Sequence, residues 1–144
     1  MRFYPSSMRT GLISAFAAMV IAASVAWAGS PHFVGACTVT RAGDNLTVSC
    51  KEAGLGDEAQ INVLITAEAA CINPGNNNPK ADNKDAVAAD LNVPVQNGKA
   101  NYTTTLIADF QPDCSPPMTI EWTNVLVNDV TNGISQSFAG PFLG

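Results

Sequence analysis

Histidine is the side chain best suited to general acid–base catalysis near neutral pH, and this chain contains only His32. A serine-hydrolase triad would have to use it, yet the sequence has no Gly-x-Ser-x-Gly motif to present a nucleophilic serine. Pro31, which lacks an amide hydrogen, also disfavours a copper site built on the backbone here. We therefore expect His32 to be a partly exposed residue without a catalytic role.

A pair of carboxylic acids can hydrolyse a glycosidic bond without a histidine. The candidate pairs are Asp109 with Asp113, and Asp82 with Asp85. Their spacing is equally typical of solvated acids in loops, so an acid-pair glycosidase is only the remote alternative. We predict no catalytic residues and no enzymatic activity.

The longest irregular stretch of the sequence, residues 72–85, is rich in side-chain oxygen atoms. Loops of this length are uncommon unless they are functional or mobile. We predict a binding loop whose candidate residues are Asn73, Asn76, Asn77, Asn78, Asp82 and Asp85. The Asp-x-Asx-x-Asx-Gly series of a dedicated calcium loop is missing, so calcium binding is left open and no metal site or cofactor is predicted.

A second polar segment, Tyr102-Thr103-Thr104-Thr105 with Asn101 before it, has the composition of a flat face for a sugar or another surface. The alternative, which we favour at this point, is an ordinary solvent-facing strand rich in threonine.

The four cysteines are Cys37, Cys50, Cys71 and Cys114, an even number that predicts two disulfides in an exported chain. A zinc site is not expected, because no Cys-x-x-Cys pair occurs and only one histidine is present.

Residues 1–28 have the three-part pattern of an export signal. Arg2 and Arg9 precede an apolar, alanine-rich run, and Ala26-Trp27-Ala28 is a small-x-small cleavage site. We predict cleavage after Ala28 and a single mature domain over residues 29–144 that is secreted, or periplasmic if the host is Gram-negative. An uncleaved membrane anchor and lipid attachment at Cys37 are the alternatives.

The predicted mature chain keeps five of the seven basic residues and all 12 acidic ones. No basic stripe is present to neutralise phosphates, so we predict no nucleic-acid partner. Beyond residue 28 no apolar stretch is long enough for a transmembrane segment.

The mature sequence has no sustained helical period, and its short alternating segments are separated by Gly, Pro, Asn and Asp. This pattern is typical of an all-β sandwich or barrel of antiparallel strands. The seven predicted strands lie near 33–42, 45–52, 59–70, 87–96, 99–110, 118–128 and 134–139.

Two turns predict hairpins, Asn97-Gly98 and Gly43-Asp44. If Gly43-Asp44 forms a two-residue loop, Cys37 and Cys50 face each other as a non-hydrogen-bonded pair with Cα atoms about 4.5 Å apart. That distance is within disulfide range. Cys37–Cys50 is therefore the preferred bridge, which leaves Cys71–Cys114.

Alternation also predicts which residues face inward, including every second residue from Ile61 to Cys71. In the strand near 118–128, Trp122 and Val125 are out of phase unless a bulge occurs near Thr123-Asn124. Pro94 has no amide hydrogen, so its strand is expected at a sheet edge.

Several motifs together resemble a family of small secreted Ig-like β-sandwich proteins that is itself largely uncharacterised. They are Gly54-Leu55-Gly56, Cys71-Ile72-Asn73-Pro74-Gly75, Asn97-Gly98 and Cys114-Ser115-Pro116. In the family pattern a proline directly follows the cysteine, whereas here Ser115 separates Cys114 from Pro116. The resemblance covers most of the mature chain and implies an Ig-like sandwich of about seven strands, without indicating an activity.

Thr47–Leu55, followed by Cys71 and Asn73-Pro74, is also loosely similar to the neocarzinostatin-type apoproteins. Those are acidic, secreted seven-stranded Ig-like sandwiches that hold an apolar ligand in a cleft, although their cysteine spacing is not reproduced here. The predicted function is a secreted, non-catalytic binding or cell-surface-associated module. A cell-envelope polysaccharide is one expected partner, and the alternative is a carrier of an apolar small molecule.

Overall fold

A computed structural model of the chain describes residues 29–74 and 83–142. The predicted export signal with its cleavage site after Ala28 lies outside these residues, as do Asn76, Asn77, Asn78 and Asp82. The described part contains antiparallel strands and no α-helix. The strands are β1 (His32–Phe33), β2 (Thr38–Ala42), β3 (Asn45–Ala53), β4 (Gln60–Ile72), β5 (Lys84–Pro94), β6 (Ala100–Leu106), β7 (Thr119–Asp129) and β8 (Ile134–Phe138).

The strands form two sheets that enclose one core, as the all-β sandwich prediction requires. In sheet 1, β3 pairs with β6 along one edge. Along its opposite edge, β3 pairs with β2 over its first half and with β1 near its end. In sheet 2 the order is β5-β4-β7-β8. The expected all-β sandwich with two disulfides is confirmed.

The core is made by alternate residues of the two central strands, β3 and β4. The inward side chains that are buried include Leu46, Val48, Cys50, Ile61, Val63, Ile65, Ala67, Ala69 and Cys71. Trp122 of β7 is fully buried among them, and its indole Nε1 donates to the carbonyl oxygen of Asp44 at 2.9 Å. This bond fixes the β2–β3 turn onto the core, because a buried indole needs an acceptor.

The β2–β3 hairpin has the predicted register, with Ala42 opposite Asn45 and Thr38 opposite Ser49. Cys37 and Cys50 continue that register and form a disulfide with a Cα–Cα distance of 4.5 Å. Cys71 and Cys114 form the other bridge. Both predicted pairings are confirmed.

The predicted bulge in β7 is also present. Between Thr66 and Glu68 of β4 the pairing with β7 shifts by one residue. The extra residue lies at Asn124, which has a φ of 52°. The Asn124 amide Nδ2 donates to a carboxylate oxygen of Glu68 at 2.6 Å, so the bulged residue is held by its neighbouring strand. Pro94 ends β5, an edge strand as expected.

The Asn97-Gly98 turn forms, but the hairpin predicted around it is wrong. Both turn residues have positive φ, and Gln96 and Lys99 exchange two backbone hydrogen bonds. Beyond this single pair of residues the two flanking strands do not pair with each other, because β5 belongs to sheet 2 and β6 belongs to sheet 1. The segment after β3 explains the separation, because Leu55 donates to Gly98 and Val95 donates to Ala59.

The described residues form eight strands where seven were predicted, because the segment predicted at 33–42 is divided. Residues 34–37 are not part of a strand: the Val34 amide still donates to Lys51 of β3, and the chain then turns away at Gly35, which has a φ of 75°. The side chain of Gln136 in β8 holds this connection. Its Oε1 accepts from the Cys37 amide and its Nε2 donates to the Gly35 carbonyl, both at 2.9 Å.

Candidate functional site

The predicted binding loop is described only at its two ends. Asn73 is exposed after β4, and Asp85 lies near the start of β5. The Asp85 carboxylate accepts a hydrogen bond from the backbone amide of Asp109 at 3.0 Å. This contact gives Asp85 a structural role. Binding of calcium or another ligand by the loop stays a prediction.

Of the residues considered for catalysis, Asp82 lies outside the described residues, and Asp85 meets Asp109 only through the backbone amide of Asp109. Asp109 and Asp113 are both exposed after β6, and His32 is exposed in β1 with its Nδ1 2.8 Å from the Ser30 carbonyl. Within residues 29–74 and 83–142, no group of three or more His, Cys, Asp or Glu side chains is arranged to hold a metal ion.

The outward side of sheet 1 carries an ordered set of hydroxyl side chains, which we call the hydroxyl face. Its two rows, each crossing β2, β3 and β6, are Thr40–Thr47–Thr105 and Thr38–Ser49–Thr103. The four threonines on β2 and β6 are exposed, and the two residues on β3 are half-buried. Neighbouring strands in a sheet are about 4.8 Å apart, so the six side chains form a compact array.

The hydroxyl groups of this face contact one another across the strands. Ser49 Oγ lies 2.9 Å from Thr103 Oγ1, and Thr47 Oγ1 lies 3.3 Å from Thr105 Oγ1. In each pair one hydroxyl donates to the other, which leaves the second hydroxyl hydrogen free to donate outward. The face therefore offers both donors and acceptors to whatever lies against it.

Strand alternation explains why the hydroxyl face is uniform. Each of the three strands carries hydroxyl residues two positions apart, and the residue between them faces the core. The inward residues are Val39, Val48 and Thr104. Tyr102 is buried on the inner side as well, so the aromatic ring that the sequence offered for this face does not contribute to it.

A groove of about 400 Å³ lies on the outward side of sheet 2. Its lining includes Glu68, Ala70, Lys84, Ala86 and Glu121. The alanines make it concave, because their side chains are shorter than those of the surrounding charged residues. Unlike the hydroxyl face, this surface is charged.

The end of the sandwich near Ala53 contains a group of acids that we call the buried acid cluster. Glu52 of β3 is 1% exposed and Asp129 of β7 is 0% exposed. The hydroxyl of Tyr102 in β6 donates to Glu52 Oε1 at 2.5 Å, while Glu52 Oε2 has no hydrogen-bond partner among the residues that the structure describes. Asn132 donates to Asp129 through its backbone amide at 3.1 Å and through its Nδ2 at 2.7 Å.

Burial and the neighbouring acids shift the pKa values of Glu52 and Tyr102. Burial raises the pKa of Glu52 from 4.5 to about 7, since a buried carboxylate loses its hydration. The hydrogen bond from Tyr102 acts against this shift, whereas Asp129 and Glu58 add to it. Burial, followed by the bond to Glu52, also raises the pKa of Tyr102 above its ordinary value.

The buried acid cluster was not predicted from the sequence, although the alternation of β3 and β7 indicates it. Glu52 is in phase with the inward residues Leu46, Val48 and Cys50, and Asp129 is in phase with Val127. The alternation therefore places both carboxyl groups inside. Their polarity argued for the surface, because acids are rarely buried.

No protein-family model matches this chain, and searches of curated proteins and of solved structures also gave no match. In the part of the chain that the structure describes, no helix has the length and apolar character needed to cross a membrane.

Proposed function

We propose that the mature domain is a secreted, non-catalytic binding module that associates with neutral polysaccharide of a cell envelope through the hydroxyl face. The observation that carries this proposal is the pair of in-register rows across β2, β3 and β6. Adsorption to a polymer uses a repeating, flat set of contacts, and these rows supply one.

The chemistry of the face matches that of a sugar polymer. A hydroxyl side chain can donate one hydrogen bond and accept two, as can each sugar hydroxyl. The threonine methyl groups add apolar contact area beside the hydroxyls. Because exposed hydroxyl groups are also well solvated, each contact adds little net free energy, and binding depends on several contacts made together.

The charge distribution favours a neutral partner. None of the six side chains in the two rows is charged, while the chain as a whole has a formal net charge of −5. An anionic polymer would be repelled by the domain, and a cationic one would be drawn to the acids outside the face. Association through uncharged groups should therefore change little with salt concentration.

Secretion is part of the proposal and rests on the predicted export signal and the two disulfides. Disulfides persist in oxidising compartments and are rare in reducing ones. We also propose an Ig-like class for the sandwich, on the strength of the motifs around Gly54-Leu55-Gly56 and Cys71.

The carrier alternative receives less support. A carrier of an apolar small molecule needs open space between the sheets, whereas Leu46, Ile61 and Trp122 are fully buried there. The acid-pair alternative rests on Asp109 and Asp113, whose exposure is typical of solvated loop acids.

The test is co-sedimentation of the purified mature domain with insoluble polysaccharides and with isolated cell envelopes. The variant Thr103→Lys places a long charged side chain in the middle of one row. The matched control is Ser137→Lys, which makes the same change at an exposed site on β8 of sheet 2.

We expect Thr103→Lys to weaken retention at least about tenfold, which corresponds to about 1.4 kcal/mol, and Ser137→Lys to behave as wild type. Raising the salt concentration should leave wild-type retention unchanged. Equal retention of the two variants, or no retention of the wild type by any polysaccharide, would refute the proposal.

A further inference from the structure

Two carboxyl groups from different sheets lie at one end of the sandwich, and no cation of the described residues forms an ion pair with either. Glu52 belongs to β3 in sheet 1, and Asp129 belongs to β7 in sheet 2. Within residues 29–74 and 83–142 the ion pair found is Arg41 with Asp44, at the far end of β3. Two ionised, buried carboxylates that lie near each other repel, so ionisation of both groups is disfavoured at this end of the sandwich.

The groups that face Glu52 are all neutral donors or acids. Tyr102 of β6 donates to Oε1, Asp129 approaches from β7, and Glu58 approaches from the segment after β3. On the β1 side the residue paired with Glu52 is Phe33, which does not titrate. His32 is paired with Ala53 and has its Nδ1 at the Ser30 carbonyl.

The hydrogen-bond pattern indicates which carboxyl carries the proton. Asn132 donates to both side-chain oxygens of Asp129, so these oxygens act as hydrogen-bond acceptors. Among the described residues no group donates to the buried Glu52 Oε2, so this is the oxygen of the two acids that is free to bear a hydrogen. A protonated Glu52 can donate to the carboxylate of Asp129, which is close enough to raise the pKa of Glu52.

We propose that Glu52 and Asp129 form a proton-dependent latch between the two sheets, closed in acidic surroundings and weakened as the surroundings become neutral. Closed, the protonated Glu52 links β3 to β7 while Tyr102 links it to β6. After ionisation, the repulsion among Glu52, Asp129 and Glu58 acts to separate this end of the sheets. The latch does not depend on the proposed polysaccharide binding.

The direction of the pH effect follows from proton linkage. The pKa of Glu52 is about 7 in the folded chain and 4.5 in the reference state. Below pH 4.5 both states are protonated and the contribution of Glu52 is fully present. Between 4.5 and 7 the unfolded chain releases its proton first, so stability falls as pH rises. The full loss, reached above pH 7, is about 300-fold in the folding equilibrium constant.

The test compares denaturant unfolding of the wild type, Glu52→Gln and Glu121→Gln between pH 4 and pH 8.5. Glutamine keeps an acceptor for Tyr102 and a donor for Asp129 but cannot ionise. Glu121→Gln is the control, because it removes a carboxylate on the outward side of sheet 2. Across this range we expect the folding equilibrium constants of the wild type and of Glu121→Gln to fall about 300-fold more than that of Glu52→Gln.

A pH profile of Glu52→Gln that is parallel to that of the wild type would overturn the proposal. If Glu52→Gln does not fold, NMR titration of the Glu52 side-chain carboxyl carbon in the wild-type domain decides the question. A midpoint near 7 supports the latch, and a midpoint near 4.5 overturns it.

Discussion

The side chain of Gln136 should be one of the most sensitive polar positions of the sandwich. It lies in edge strand β8 of sheet 2 but bonds the connection between β1 and β2 of sheet 1. Gln136→Leu keeps a side chain of similar size and removes both hydrogen bonds. The backbone amide of Cys37, a residue that is only 7% exposed, then has no acceptor. The carbonyl oxygen of the exposed Gly35 can accept a hydrogen bond from water instead.

The two bonds should therefore contribute unequally. A buried donor without a partner costs about 1–3 kcal/mol, whereas a bond that water can replace contributes about 1 kcal/mol or less. We expect Gln136→Leu to lower the free energy of unfolding by about 2–3 kcal/mol. Gln136→Glu keeps the acceptor for Cys37 and loses only the donor to Gly35, so it should cost about 1 kcal/mol.

The assay is reversible urea unfolding followed by Trp fluorescence, with both disulfides intact. Trp122 is the tryptophan of the mature domain, and it is fully buried. Ser135→Ala, at an exposed position of the same strand, controls for changes in β8 itself. The reasoning fails if Gln136→Leu is no less stable than Gln136→Glu, or if Ser135→Ala is equally destabilised.

Two further predictions concern the covalent and backbone constraints of the fold. Replacing both Cys71 and Cys114 with alanine should destabilise the domain by about 4 kcal/mol, whereas replacing both Cys37 and Cys50 should destabilise it by about 3 kcal/mol. The difference arises because a cross-link that closes a longer loop removes more entropy from the unfolded chain. Thermal unfolding that ranks the two double variants in the opposite order would contradict this. Asn124→Ala should cost about 1–2 kcal/mol, because alanine tolerates a φ of 52° poorly and the bond to Glu68 is lost. Asn124→Gly should be less destabilised in the same measurement, and a glycine variant as unstable as the alanine variant would show that the positive φ is not the cause.

The parts of the fold that were predictable are those decided over short distances along the chain. The Gly43-Asp44 turn sets the β2–β3 register, and that register brings Cys37 opposite Cys50. The change of phase between Trp122 and Val125 revealed the bulge, because a strand with one buried face keeps a strict alternation.

The parts that were not predictable depend on residues far apart in the sequence. The Asn97-Gly98 turn is a local structure, but the sheet that each flanking strand joins is decided by contacts to Leu55 and Ala59. The hydroxyl face likewise depends on the pairing of β3 with β6, which brings Ser49 beside Thr103. The sequence shows the threonines on each strand but not that they are in register.

The buried acid cluster was missed for a different reason, a conflict between two rules. Alternation places Glu52 inside, while the free energy of burying a charge places it outside. The raised pKa of Glu52 and the hydrogen bond from Tyr102 reconcile the two, and neither is visible in the sequence.

The most direct test of the proposed function is to locate the bound sugar on the surface of the domain. A ¹⁵N-labelled mature domain would be titrated with a soluble oligosaccharide fragment of the polymer that retains it, while amide chemical shifts are recorded. We predict shifts centred on Thr40, Ser49 and Thr103 of the hydroxyl face. Shifts centred on Glu68 and Glu121 in the groove of sheet 2 would contradict the account.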